Sequence, residues 1–175
     1  DGNPFVTASV TREASQIAAD HVLRGLERAL ERIGRTLTLA SDDTPPSAEV
    51  TALWERFAAA EPELAAELAT RSPDEPHRRV LLVLARRVAA VRRGEDSAQA
   101  YSRPEELLAD LRAVQASLAD AGAKRHAFGG VQHLIWQVET YGFHLTELEV
   151  RQHSQVHAKA LAELASGEAI SAQTE

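Results

Sequence analysis

The chain contains no cysteine, so neither a disulfide framework nor a thiolate metal site can be built from it. It contains no methionine either, not even a first residue. Either an N-terminal tag has been removed or these residues are an internal piece of something longer. Glycine is scarce, at 9 of 175 residues, and aromatic residues make up 5%. No stretch approaches the roughly 18 apolar residues that a membrane-spanning helix needs. No succession of basic, apolar and small residues at the start marks a secretion signal. The HExxH, P-loop, GxGxxG and GxSxG patterns are all missing. Positive charge is short as well: 19 Lys and Arg stand against 26 Asp and Glu, a net charge of −7. A nucleic-acid binder would normally show a basic face. The expectation is therefore a cytoplasmic protein whose partners include neither membrane nor nucleic acid.

What is abundant points to helix. Alanine, leucine, glutamate and arginine dominate, and all are good helix formers. With 44% hydrophobic and 26% charged residues, 175 residues suffice for one domain with a genuine core. Thr7 can cap a long helix running to about Thr38, with Leu23, Leu26, Leu30, Ile33 and Leu37 as its buried stripe. Gly25 and Gly34 weaken that helix without ending it. The double-proline run 41–47 breaks the pattern, and a helix carrying Val50, Leu53, Trp54 and Phe57 follows over 48–60. Pro62 opens a third, with Leu64 and Leu68 inward. The segment 77–93 is the most apolar, with Val80, Leu81, Leu84, Val88 and Val91 on one side and arginines near its C-terminal end, as the helix dipole favours. After a loop at 94–103, Pro104 starts a helix that stops near Gly122, and Val131, Leu134, Ile135 and Val138 mark another.

The segment from Tyr141 to Ser154 reads differently. Apolar and charged residues alternate from Glu147 to Arg151, a period of two that predicts a short strand near 145–151 with Leu148 and Val150 on one face. Ser154 is the expected N-cap of a helix over 155–165. A helix N-terminus offers free N–H groups and a partial positive charge. Arg151 beside it makes an anion site, unless it merely pairs with Glu147 or Glu149.

Gly142-Phe143-His144-Leu145, then Glu149-Val150-Arg151-Gln152-His153-Ser154 and His157, resembles a signature segment of phosphoenolpyruvate carboxylase. Asp1-Gly2-Asn3-Pro4-Phe5-Val6-Thr7, followed by Val10-Thr11-Arg12, resembles a second segment of that family. Tyr101, Glu106-Leu107-Leu108, Leu111, Ser117-Leu118 and Gly122 keep compatible order and spacing between them. Residues about 40 to 100 match only in helical character. The family is several times this length, so the resemblance implies an internal fragment of the bacterial-type enzyme. It also implies the fold class: mainly α, a helical array with one short strand, as a piece of an α-rich α/β barrel enzyme. The mostly helical unit would occupy 1–166, followed by a frayed tail over 167–175.

The resemblance further implies that the parent protein converts phosphoenolpyruvate and bicarbonate to oxaloacetate and phosphate. Arg151 would bind the substrate phosphate, its planar guanidinium gripping two oxygens. Asp1, Gly2 and Asn3 would form part of the active-site wall. A divalent cation, Mg²⁺ or Mn²⁺, would be held by residues outside this chain, and the parent would be a homo-oligomer. The family's essential histidine, metal-binding carboxylates and basic glycine-rich loop have no match here, so the chain alone is expected to be inactive. Many relatives carry an acidic residue where this sequence has His153. His153 and His157 could share a helix face, but no third metal ligand stands at a recognisable spacing, and His157 reads as a packed or hydrogen-bonded histidine. Two other readings compete: a free-standing helical interaction module without catalysis, and another anion-binding enzyme on a similar barrel.

Overall fold

The computed structural model describes residues 5–95, 100–148 and 153–166. Over these it is mainly helical, and the helix boundaries follow local chemistry. Helix α1 (Ala8–Thr36) starts where Thr7 Oγ1 accepts the Val10 N–H at 3.3 Å, and ends two residues earlier than the spacing predicted. Helix α2 (Ala48–Ala60) is capped by Ser47 Oγ. Helices α3 (Pro62–Arg71), α4 (Pro76–Arg93) and α5 (Pro104–Asp120) each open on a proline. Its fixed φ suits the first turn, and its missing N–H would have had no helical partner there. Gly122, at φ +86°, stops the chain after α5: its N–H reaches Ala119 O, and the Ala123 N–H reaches back to Leu118 O at 2.8 Å. That pair of bonds closes a helix end through a left-handed residue, a conformation glycine adopts without a Cβ penalty.

Helix α6 (Lys124–His126), a π-helical segment (Ala127–Val131) and α7 (Gln132–Tyr141) follow without a break. The axis kinks at Gly129. Gln115 of α5 bridges the kink, donating to Ala127 O at 3.0 Å and to Gln132 Oε1 at 2.8 Å. A backbone carbonyl that a regular helix would satisfy internally thus finds a side chain instead. Helix α8 (Ser154–Ser166) comes last.

The core lies between the second half of α1 and helices α4, α5 and α7. Leu30, Leu81, Leu84, Val88, Leu107, Leu111 and Leu118 are completely buried there. Phe57, Ala65 and Val83 form a smaller cluster that seats α3. Leu64 and Leu68, expected inward, only flank it. Cation–carboxylate pairs cross the helix interfaces at their rims: Arg87–Asp110 at 2.7 Å, Arg92–Glu27 at 2.8 Å and Arg112–Glu139 at 2.8 Å. The arginines at the end of α4 therefore tie neighbouring helices together, beyond answering the dipole.

The expected strand near 145–151 is not seen among the described residues. Positions 145–148 are turn and irregular backbone, and Glu147 and Leu148 are both exposed, against the predicted alternation. A strand needs a partner for its N–H and C=O groups, and no described segment supplies one. The remaining strand positions, 149–151, lie outside the described residues. So does the whole tail expected at 167–175.

Candidate functional site

Of the residues expected to carry function, Arg151, Asp1, Gly2 and Asn3 all lie outside the described residues. What the structure does define is the approach to Arg151. Gly142 closes α7, donating to Val138 O at 2.9 Å with φ +53°. A Cβ there would lie 2.9 Å from His144 Nε2, the tip of an exposed side chain that can swing aside, so it is the positive φ that favours glycine. Tyr141 O accepts from the His144 N–H at 3.3 Å and the Leu145 N–H at 2.9 Å, and the Thr146 N–H bonds His144 O at 2.8 Å. Phe143 plugs into the core and Leu145 packs against it. Leu145 does so at φ +67°, the one non-glycine residue with positive φ among the described residues. The Gly142–Leu145 motif is thus a tight, core-anchored turn that fixes where the following segment departs.

Beyond Arg151, α8 begins one residue earlier than expected. His153, not Ser154, caps it: His153 O accepts the Val156 N–H at 2.9 Å, and His153 Nδ1 accepts the Gln155 N–H at 3.3 Å. His157 is exposed, so of the packed or hydrogen-bonded role expected, the packed one does not hold. Among the described residues, no three of His, Asp or Glu come close enough together to hold a metal ion.

Two buried polar clusters escaped the sequence reading. Tyr101, buried at the end of the 94–103 loop, donates to Asp110 Oδ2 at 2.8 Å. The Arg87 guanidinium donates to the same carboxylate and stacks 3.8 Å from the tyrosine ring centre. Burial and the neighbouring Asp110 push the phenol well above its usual range. The cluster pins the loop to α4 and α5. Farther along, His77 Nε2 and Ser117 Oγ share a 2.8 Å hydrogen bond, and Ser117 Oγ also accepts the Ser47 N–H at 2.8 Å. One serine thereby joins the starts of α2 and α4 to α5. Burial pushes His77 down to about 4, and its Nδ1 has no partner among the described residues. No sequence spacing connects residues 40 or 70 positions apart.

The larger cavities lie elsewhere. One of about 620 Å³ is lined by Glu61, Pro62, Glu63, Leu64 and Arg86, none of them in either signature segment. Another, of about 570 Å³, runs between α1, α3 and α4. Beside the 142–147 turn is a smaller cleft of about 260 Å³, walled by Leu108, Val138, His144 and Leu145 among others. It is the cleft that adjoins the segment leading to Arg151.

The described residues thus define a mainly helical scaffold with a glycine-closed turn at the end of α7. The phosphoenolpyruvate carboxylase family model matches residues 1–173, and the chain belongs to that family. It is 34% identical over 163 residues to a phosphoenolpyruvate carboxylase of Xanthomonas euvesicatoria pv. vesicatoria, a match covering 93% of this chain and 18% of that protein. It is 37% identical over 175 residues to one of Nocardia farcinica (94% and 18%) and 37% identical over 174 residues to one of Ralstonia nicotianae (94% and 17%). The chain therefore spans about 18% of the length of these curated relatives.

Proposed function

We propose that the chain is one part of a phosphoenolpyruvate carboxylase, a carbon–carbon lyase that converts phosphoenolpyruvate and bicarbonate to oxaloacetate and phosphate. The observation that carries this reading is the family match from residue 1 to residue 173. In the parent, an α-rich α/β barrel and a cytoplasmic homo-oligomer on this reading, Arg151 sits at the barrel mouth. Ligands bind there in such folds.

Both reactants are anions. A bicarbonate oxygen attacks the phosphorus and the bond from phosphorus to the enol oxygen breaks, giving an enolate and carboxyphosphate. The carboxyl group is then joined to the enolate carbon, and phosphate leaves. Cationic groups around the phosphate reduce the repulsion between reactants and stabilise the charge on the transferring phosphoryl group. Arg151 is the cation this chain contributes, and two features support that role. It follows a turn held by Phe143 and Leu145, and in sequence it precedes the N-terminus of α8, whose dipole favours an anion. Asp1, Gly2 and Asn3 serve as active-site wall. The family implies Mg²⁺ or Mn²⁺, which polarises the phosphate when bound. On this reading its ligands come from residues outside this chain.

Arg151→Ala in the full-length enzyme tests the reading. Hydrogen bonds to charged groups contribute about 1.5–3 kcal/mol, so kcat/KM for phosphoenolpyruvate should fall by one to two decades. Arg151→Lys should recover only part of that, because an ammonium lacks the two-pronged grip. Unchanged kcat/KM in the alanine variant would remove Arg151 from the site. The 175-residue chain alone should form no oxaloacetate, and bicarbonate-dependent product in a coupled assay would sink that expectation.

A further inference from the structure

The apolar side of helix α1 changes along its length. Its buried residues Val22, Leu23, Leu26, Ala29, Leu30 and Gly34 share one side. At 100° per residue, Val10, Ala14 and Ile17 lie about 165° around the helix from that side. Val10 is 48% and Ile17 64% exposed. This second stripe cannot extend the core built with α4, because it faces away from it. Helix α8 shows the same condition throughout. Val156, Ala160, Leu161 and Leu164 fall within an arc of about 140°, and Leu161 and Leu164 are 66% and 63% exposed. A helix of 13 residues without tertiary packing is marginal in water, so α8 requires a partner to persist.

Two occupants could cover these faces, a second copy or more of the parent polypeptide. The distribution of exposed side chains favours the second. Among the described residues, every large apolar side chain left exposed lies before residue 18 or after residue 127. They flank the two signature segments and avoid α2 to α5. The relatives are more than five times longer than the stretch matched, which leaves ample chain to cover both faces. We propose that the Val10–Ile17 stripe of α1 and the Val156–Leu164 stripe of α8 are docking surfaces for the rest of the same polypeptide. Both helices would then be shared walls between this helical unit and the remaining enzyme. The proposal rests on the reading of the chain as part of a longer carboxylase.

Hydrogen exchange on the full-length enzyme, followed by mass spectrometry, tests it. Amides of 8–20 and 154–165 should exchange on the order of 100-fold slower than exposed loops and approach the protection of α4. Fast exchange there in an enzyme that carboxylates normally would overturn the docking and leave the functional reading standing. A full-length protein without carboxylase activity would overturn that reading, and the proposal with it. Protection that vanishes when the enzyme is diluted to monomers would assign the stripes to a second copy and overturn the proposal. As a second readout, Ile17→Asp and Leu161→Asp should each lower the thermal midpoint of the full enzyme by several degrees. Gln16→Asp, off the stripe, should leave it nearly unchanged, and equal effects from all three would also count against the docking.

Discussion

Helices α4 and α8 are both amphipathic, α4 the more strongly, yet Val80, Leu81, Leu84 and Val88 of α4 are buried while Val156, Leu161 and Leu164 of α8 are about half to two-thirds exposed. The strength of the pattern is only part of the difference. Helix α4 meets α1, α2 and α5 inside this chain, and α8 meets no comparable surface among the described residues. Hydrophobic period reports which face of a helix seeks cover; it does not report whether the cover is near in sequence. The same contrast runs through α1, whose second half is core and whose first half is bare.

Core and exposed leucines should therefore respond unequally in the 175-residue chain. Leu84→Ala should cost about 2–5 kcal/mol, the range for emptying a packed site. Leu164→Ala should stay within about 0.5 kcal/mol. Urea unfolding of the two variants measures the gap, and equal losses would break the comparison. In the full-length enzyme the gap should narrow, because Leu164 would then be covered.

Acid should act on the packed half through His77. Its folded pKa, about 4, lies below the ordinary 6.5, so the folded state holds the neutral ring. As pH falls through 6.5 the unfolded chain takes up a proton that the folded chain refuses, and stability declines until about pH 4. The whole loss should be about 3 kcal/mol. His77→Gln should flatten the denaturation profile across that interval by roughly one proton, and an unchanged slope would show that other groups control it.

The smallest effect separates two glycines of α1. A Cβ on Gly25 would meet nothing within 4 Å, so Gly25→Ala should stabilise by about 0.5–1 kcal/mol. On Gly34 it would come 3.2 Å from Leu82 Cδ2, so the same exchange there should gain less or lose. Thermal melts of both variants decide.

The helices were legible because their signals are local: Thr7 as a cap, Pro62 and Pro104 at the first turns of α3 and α5, and Gly122 at a stop. The core stripe of Leu23, Leu26 and Leu30 followed from period alone. The alternation at 147–151 misled because period two describes a strand only when a partner strand exists, and the described residues hold none. His153 took the capping role assigned to Ser154 because a ring nitrogen can accept the same N–H that a hydroxyl would. The Tyr101–Asp110–Arg87 and His77–Ser117 clusters were invisible to spacing, since they join residues that only the packing of helices brings together. For the candidate site, the resemblance placed Arg151 and the structure supplied the turn before it.

Leu145 sets two opposed forces against each other at one position. Its left-handed backbone costs roughly 1–2 kcal/mol that glycine would not incur. Its side chain regains an amount of the same order by packing on the core. A mutational survey scored on stability alone would record glycine at 145 as nearly silent. The same exchange would free the hinge from which the chain sets out toward Arg151, so a neutral stability score there would conceal a change in aim.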